Sequence, residues 1–347
     1  MGLDARLLTR ALADPSSVLA LDADSWTALL TMARAEQLLA SLAWRVDGLA
    51  MPVRVQAILN DARAAAESGR VAALWEAEMA RRALAEFDAP VLLLKGTAFV
   101  AAGLAAGQGR MIGDLDLLVS RETLAAAEAS LLRAGWEWVK EDAYDDGYYR
   151  RWMHELPPLI HRTRDRMVDV HHTILPPTAR PKPLIDVMIA DAKLLVNGLA
   201  VLAPEHMVIH AAAHLFADGD LSGGLRNLWD IDRLCREFAE ERPDFYLSLV
   251  EEAWKHKLGS QVMRALRLAH RLFGTPVATY QQPLRLTVDP AWSDRLYVHR
   301  LLARDGWGRA TRPATRFAFY VRSHWQRMPP GLLARHLWTK WRNGGRL

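Results

Sequence analysis

Between residues 53 and 87, apolar side chains return every three to four positions in a stretch rich in Ala, Leu, Glu and Arg, which predicts one long amphipathic helix. The same period runs through residues 3–13 and 25–44, with Asp14-Pro15-Ser16 and Asp24-Ser25 as turn and start signals. The chain therefore opens with an all-helical region over residues 1–87, and Asp88-Ala89-Pro90 stops its last helix.

The period then changes. Val91-Leu-Leu-Leu-Lys-Gly-Thr97 is a short apolar run ending in Lys95-Gly96-Thr97, and the small apolar residues 98–106 predict a helix directly after it. Arg110-Met-Ile-Gly-Asp-Leu-Asp-Leu-Leu-Val119 predicts a strand, residues 121–133 a helix ended by Gly135, and residues 136–140, 148–156, 159–164 and 167–174 further strands. Pro157-Pro158 and Arg164-Asp165-Arg166 are the connections. Strands mixed with helices over residues 88–203 imply an α/β or α+β sheet domain, flanked by helical regions on both sides. Beyond Pro204 the helical period returns at 205–217, 224–238, 244–257, 260–273, 292–304, 313–326 and 331–341. Residues 204–275 read as a helical domain packed on the sheet domain and 276–347 as a helical tail. Three prolines within 274–290 mark that stretch as a mobile connection.

Composition adds bounds. With 347 residues, 51% of them apolar, the chain can bury a sizeable core and divide into more than one domain. The single cysteine, Cys235, excludes an internal disulfide and offers no thiolate cluster, which points to a reducing, cytoplasmic setting. No stretch reaches the roughly 18 uncharged apolar residues of a spanning helix. Charge is uneven: residues 300–347 hold ten arginines and one lysine against Asp305 alone, a balance of +10 that leaves −6 for the remainder of a chain whose total is +4. These arginines interleave with Phe317, Phe319, Tyr320, Trp325, Trp338 and Trp341. Such a tail can bind nucleic-acid phosphates and bases, lie on an anionic membrane surface, or form a solvated face whose aromatics dock on the protein.

The chemistry centres on Asp114 and Asp116. Alternate strand positions put both on one face while Leu115 and Leu117 pack on the other. Two like charges about 7 Å apart repel unless a cation lies over them, and a divalent metal is the natural candidate. Gly96-Thr97, between strand and helix, lets backbone approach a phosphate; Lys95 can contact phosphate or cap the turn, and Arg110, flanked by glycines, can reach a triphosphate as a fork donor. Polyphosphate chemistry uses Mg²⁺ or Mn²⁺ on carboxylate oxygens, and a third acid completes the metal site or takes a proton. Asp169 between Val168 and Val170 fits that place, with His171 on its face to orient it or contact substrate.

These residues resemble the nucleotidyltransferase superfold, with its glycine turn, acid-x-acid strand and later third acid. The wider context resembles one subgroup, the uncharacterised nucleotidyltransferase-like family, through Leu94-Lys-Gly96, Arg110 to Val119, Val168-Asp-Val-His171, Pro204-Glu-His-Met207 with His210 and His214, and Leu225-Arg-Asn-Leu-Trp-Asp-Ile-Asp232. The resemblance covers roughly residues 75–275. It implies Mg²⁺ on Asp114, Asp116 and Asp169, an NTP such as ATP on Lys95, Gly96, Thr97, Arg110 and His171, and an acceptor hydroxyl attacking the α-phosphorus. Thr97 departs from the usual Gly or Ser, and His172 from the usual aromatic. The acceptor is an unidentified small molecule, peptide or sugar. Phosphoryl transfer, a tRNA-directed enzyme and a non-catalytic nucleotide-binding or scaffold protein are the alternatives.

His206, His210 and His214 share one helix face at zinc-ligand spacing, but Ala211 to Ala213 fill the gap where a metalloprotease keeps its glutamate. Packing against the sheet is the expected role. Around Trp229, the expectation is a helix packed through the indole, with Arg226 and Asp230 as a surface pair.

Overall fold

In the computed structural model, the described residues are 4–86, 89–140, 143–217, 220–277, 291–327 and Gly331. The N-terminal region forms α1 (Arg6–Ala13), α2 (Ala23–Ala35), α3 (Leu39–Arg45) and the 31-residue α4 (Val53–Ala83). The expected helix over 25–44 is two helices, because Gln37 adopts a left-handed φ of 55° between them.

The middle of the chain runs β1 (Leu92–Leu93), α5 (Lys95–Ala101), β2 (Asp114–Leu118), α6 (Leu124–Arg133), β3 (Trp136–Trp138), α7 (Ala143–Trp152), β4 (Leu159–His161), β5 (Met167–His171), α8 (Ile185–Ala190), β6 (Lys193–Leu194) and β7 (Ala200–Val201). The strands form one sheet in the order β3-β4-β5-β2-β1-β7-β6. It is mixed: β2 runs parallel to β5 and β1 to β7, while the other neighbours are antiparallel. The fold class is the expected α+β.

Residues 148–156 differ from expectation. The Tyr-Tyr-Arg-Arg-Trp run is the end of α7, and Arg150 forks onto the buried Glu128 carboxylate at 2.8 Å to both oxygens. Aromatic strand propensity yields there to a paired charge. The end of that stretch does meet the sheet: Glu155 bridges to His171, and Leu156 N–H donates to Val170 O at 2.9 Å.

The C-terminal helices are α9 (Pro204–Ala217), α10 (Gly224–Glu241), α11 (Phe245–Lys255), α12 (Gly259–Phe273), α13 (Ala291–Leu301) and α14 (Pro313–Arg327). One contiguous apolar core runs from Ala5 to Phe319 through sheet and helices alike. The two helical regions meet directly, as Ala5 N–H donates to Leu302 O at 3.3 Å and α1 packs on α12. The start of the expected mobile connection is anchored: Thr275 is fully buried and its hydroxyl donates to Asp232 Oδ1 at 2.7 Å. Residues 278–290 of that connection and the expected helix over 331–341 lie outside the described residues, apart from Gly331.

Several tail arginines turn inward. Arg304 pairs with Glu36 at 2.7 Å, Arg312 with Asp4 at 3.2 Å, and Arg300 and Arg316 both with Asp220. Among the described residues, no helix is long and apolar enough to cross a membrane.

Candidate active site

The parallel pairing of β2 and β5 sets Asp116 directly beside Asp169, with Asp114 opposite Met167. Strand alternation brings all three acids to one face, and their carboxylate oxygens lie within 4.8 Å of one another. Burial is graded along the cluster: Asp114 is exposed, Asp169 half-buried and Asp116 only 3% exposed.

Asp116 is the most heavily engaged. Its Oδ1 accepts from Lys95 Nζ at 2.6 Å and from His171 Nε2 at 2.9 Å. Burial by itself would raise its pKa, but Lys95 and His171 hold the carboxyl well below the usual range. Lys95 reaches it from the start of α5, where its own φ is +50°, a left-handed conformation costly for a side-chain-bearing residue. Burial would lower the lysine's pKa, and Asp116, followed by Asp114, raises it instead.

Asp169 has the opposite environment. Burial first, then the charges of Asp116 and Glu155, push its carboxyl up to about 7. Glu155 was not foreseen. Its Oε2 lies 3.4 Å from His171 Nδ1 without hydrogen-bond alignment, and burial raises its pKa too. No spacing relates it to the acid pair; only the chain's return past β5 brings it near.

Arg110 and Gly96 are structurally coupled. A Cβ built on Gly96 would stand 2.9 Å from Arg110 Nε and 3.3 Å from Ile112 Cγ1, so the missing side chain makes room for the arginine. Thr97 is buried at 2% exposure. Arg110 Nη1 donates to Asp230 Oδ2 at 2.6 Å, and Arg226 holds the other oxygen of Asp230 through Nε at 3.0 Å. The pair expected on the surface is therefore buried: Arg226 also donates to Ser41 Oγ at 2.6 Å and shares Asp230 with Arg110. Ser41 in turn donates to Gly109 O at 3.3 Å, and Gly109, at φ +66°, approaches Ala40 so closely that a Cβ would meet its carbonyl carbon at 2.5 Å. The N-terminal helices thus clamp the loop that carries Arg110.

A cleft of about 380 Å³ joins these parts. Lys95, Arg110 and Asp114 line one side, and His210, His214 and Asn227 from α9 and α10 line the other. Burial, then Lys95, drives the pKa of His210 well below the ordinary histidine value, so it faces the acids as a neutral ring. His172 points away, against Arg121, and burial followed by that arginine lowers it to about 4.

A family model described as an uncharacterised nucleotidyltransferase matches residues 22–274. The chain belongs to that family. No curated protein and no solved structure matches it. The nucleotidyltransferase match begins well before the 75–275 expected from motifs, at the threshold of α2, and the clamp of Ser41 and Ala40 on the Arg110 loop gives a physical reason. All eight residues singled out in the sequence, together with Glu155, His210 and Asp230, fall within the matched nucleotidyltransferase region.

For metal, the all-oxygen set of Asp114, Asp116 and Asp169 suits a hard cation. His206, Glu252 and His256 form a second compact group. There, Leu184 N–H donates to His256 Nδ1 at 3.1 Å, which leaves the ring proton on Nε2, pointing at His206 Nε2 3.1 Å away. That proton occupies the position a metal needs, so the two rings form a buried hydrogen bond. His206 accordingly serves packing, while His210 and His214 reach the cleft.

Proposed function

We propose that the chain is a metal-dependent nucleotidyltransferase that moves a nucleotidyl group from an NTP to the hydroxyl of a small molecule, peptide or sugar. The observation that carries the reading is the in-register pair Asp116–Asp169, with Asp114 beside it at the mouth of a cleft lined by Lys95 and Arg110. Asp114, Asp116 and Asp169 would hold Mg²⁺ or Mn²⁺, which when bound neutralises the acids and orients a triphosphate. Arg110 and Lys95 offer cationic donors to phosphate oxygens. Gly96 acts by seating Arg110, and His171 by orienting Asp116; Thr97 supports the start of α5. Asp169, in register beside Asp116, takes the acceptor's proton, and a cation on the cluster would keep its carboxylate ionised for that task. The acceptor oxygen bonds to the α-phosphorus, the α–β bridging bond breaks, and pyrophosphate leaves with the electron pair.

One observation favours a second reading, that of a nucleotide-binding protein without transfer. Lys95 already places a cation on Asp116 Oδ1, where a catalytic metal would bind. A role for the basic tail toward nucleic acid or an anionic membrane draws no support from Arg300, Arg304, Arg312 and Arg316, which turn inward onto Asp220, Glu36 and Asp4. The test is incubation with Mg²⁺, a cell extract and each NTP labelled at the α- or γ-phosphate. Metal-dependent transfer of α-label supports nucleotidyl transfer, and γ-label alone would make the reaction phosphoryl transfer. Tight NTP binding with no transfer would favour the second reading.

A further inference from the structure

Beside the acid cluster, and sharing no residue with it, stands a further compact group of metal-binding side chains: His154, Glu155 and His171. One donor atom from each lies within 4.8 Å of the others. His171 ends β5, and the chain comes back to it after α7. Glu155 bridges to His171, His172 N–H donates to His154 O at 2.9 Å, and Leu156 N–H donates to Val170 O at 2.9 Å. Main-chain bonds on both sides therefore fix the three residues relative to one another.

The His171 ring decides what this group can do. Its side chain is 1% exposed, and its Nε2 lies 2.9 Å from Asp116 Oδ1. A carboxylate accepts, so the ring proton belongs on Nε2. That leaves a lone pair on Nδ1, which is buried and makes no hydrogen bond. In front of it stands a carboxylate rather than a donor: Glu155 Oε2 at 3.4 Å, out of hydrogen-bond alignment. Two such acceptors repel unless a proton or a cation lies between them, and the pair is not aligned to share a proton. His154 closes the group, with Nε2 3.5 Å from the same Glu155 oxygen and its ring centroid 5.2 Å from that of His171.

The spacing selects the ion. Tetrahedral Zn²⁺ with bonds of about 2.0–2.2 Å keeps its ligands about 3.3–3.6 Å apart. Both edges at Glu155 Oε2, 3.4 and 3.5 Å, fall in that range. Two histidines and a carboxylate also serve octahedral iron, but neighbours in an octahedron with bonds of about 2.1 Å stand about 3.0 Å apart. Ligands of one metal aim at a common point and not at one another, which accounts for the missing alignment. A ligating histidine also characteristically gives its other N–H to a carboxylate, as His171 does to Asp116. The side chains of His154 and Glu155 are partly exposed, so water can reach a fourth position.

We propose that His154 Nε2, Glu155 Oε2 and His171 Nδ1 form a zinc site with water as the fourth ligand. Its mixed nitrogen and oxygen donors set it apart from the all-oxygen acid cluster, and it stands whether or not the chain transfers nucleotides. Zinc there would hold His171 in the tautomer that donates to Asp116.

Calorimetric titration of the full chain with Zn²⁺, in saturating Mg²⁺, tests this. The expected result is one Zn²⁺ per chain with a dissociation constant of about 1 µM or tighter. Co²⁺ in its place should show the strong visible absorption of a tetrahedral ion. His154→Ala and Glu155→Gln, at partly exposed positions, should each weaken Zn²⁺ at least about tenfold and remove that absorption, with unchanged circular dichroism. Asp114→Asn and His256→Gln should leave both readouts as in wild type. Absence of Zn²⁺ binding at this strength, the weak absorption of octahedral Co²⁺, or affinity unaltered in both His154→Ala and Glu155→Gln would overturn the site. Loss of Zn²⁺ in Asp114→Asn would place the ion on the acid cluster, and loss in His256→Gln would place it on the other histidine pair; either would overturn it too.

Discussion

Lys95 Nζ lies 2.6 Å from Asp116 Oδ1, so a cation of the protein itself rests on the innermost oxygen of the acid cluster. A metal held by the three acids, as proposed, would compete with the lysine for that oxygen. Replacing Lys95 with Met removes the competitor and strands a buried carboxylate, a change that costs on the order of 3–5 kcal/mol in comparable buried pairs. Lys95→Met should therefore melt well below wild type without metal and bind Mn²⁺ at least about tenfold more tightly. Electron paramagnetic resonance titration measures the second effect. Weaker Mn²⁺ binding in a folded variant would show that Lys95 assists the metal.

Asp169 makes metal-free stability depend on pH. Its carboxyl is raised from 3.8 to about 7 in the folded protein, so the fold holds that proton more tightly than the unfolded chain does. Its contribution is fully present below pH 3.8 and is lost as pH rises through about 7. Asp169→Asn should accordingly melt above wild type at pH 8.5, and the gap should close toward pH 5. Mg²⁺ should raise the wild-type melting temperature, and calorimetry in buffers of different ionisation enthalpy should register close to one proton released at pH 6 and little at pH 8.5.

The buried ring pair His206–His256 gives a dependence of opposite sign. Burial, then His206, lowers His256 from 6.5 to about 4. The unfolded chain takes up the proton first as pH falls, so this contribution is present above pH 6.5 and is lost on descent through about 4. His256→Gln should flatten the fall of the melting temperature between pH 7 and 4.5. An identical fall in both proteins would assign acid sensitivity elsewhere.

Gly96 and Arg110 should behave as one unit toward nucleotide. Arg110→Ala is expected to weaken Mg·NTP binding by about 1.5–3 kcal/mol, the usual size for a charged hydrogen bond. Gly96→Ala, whose new Cβ would press on the guanidinium at 2.9 Å, should weaken it in the same direction. The double variant should match Arg110→Ala alone when measured by calorimetry. Additive losses would mean that Gly96 contacts phosphate by itself.

The acids were legible in the sequence because alternation fixes a face locally: Asp114-Leu-Asp116 and Val168-Asp-Val170 each declare a strand and its polar side. A neighbouring strand was the expectation for Asp169; the register that sets it beside Asp116 comes from the parallel pairing of β2 and β5, which no local pattern announces. Lys95 was ambiguous, since its reach to Asp116 depends on a left-handed φ that sequence does not announce. Glu155 and the Arg110–Asp230 bond were hidden for another reason, being contacts between separate elements, the latter 120 residues apart; the Arg226–Asp230 pair was legible at four-residue spacing, but not its burial. Residues 148–152 misled through propensity, because the Arg150–Glu128 pair outweighs an aromatic run. The two-residue strands β6 and β7 and the short α8 left too few positions to show any period.

The central claim is tested most directly by the rate at which Asp169→Ala transfers α-label from NTP in Mg²⁺, read beside wild type in the same extract. Proton removal by Asp169 predicts a rate at least about 100-fold lower, the usual size for losing a general base, with NTP affinity within a fewfold of wild type. Equal transfer by the two proteins, or none by wild type in any extract, would contradict it.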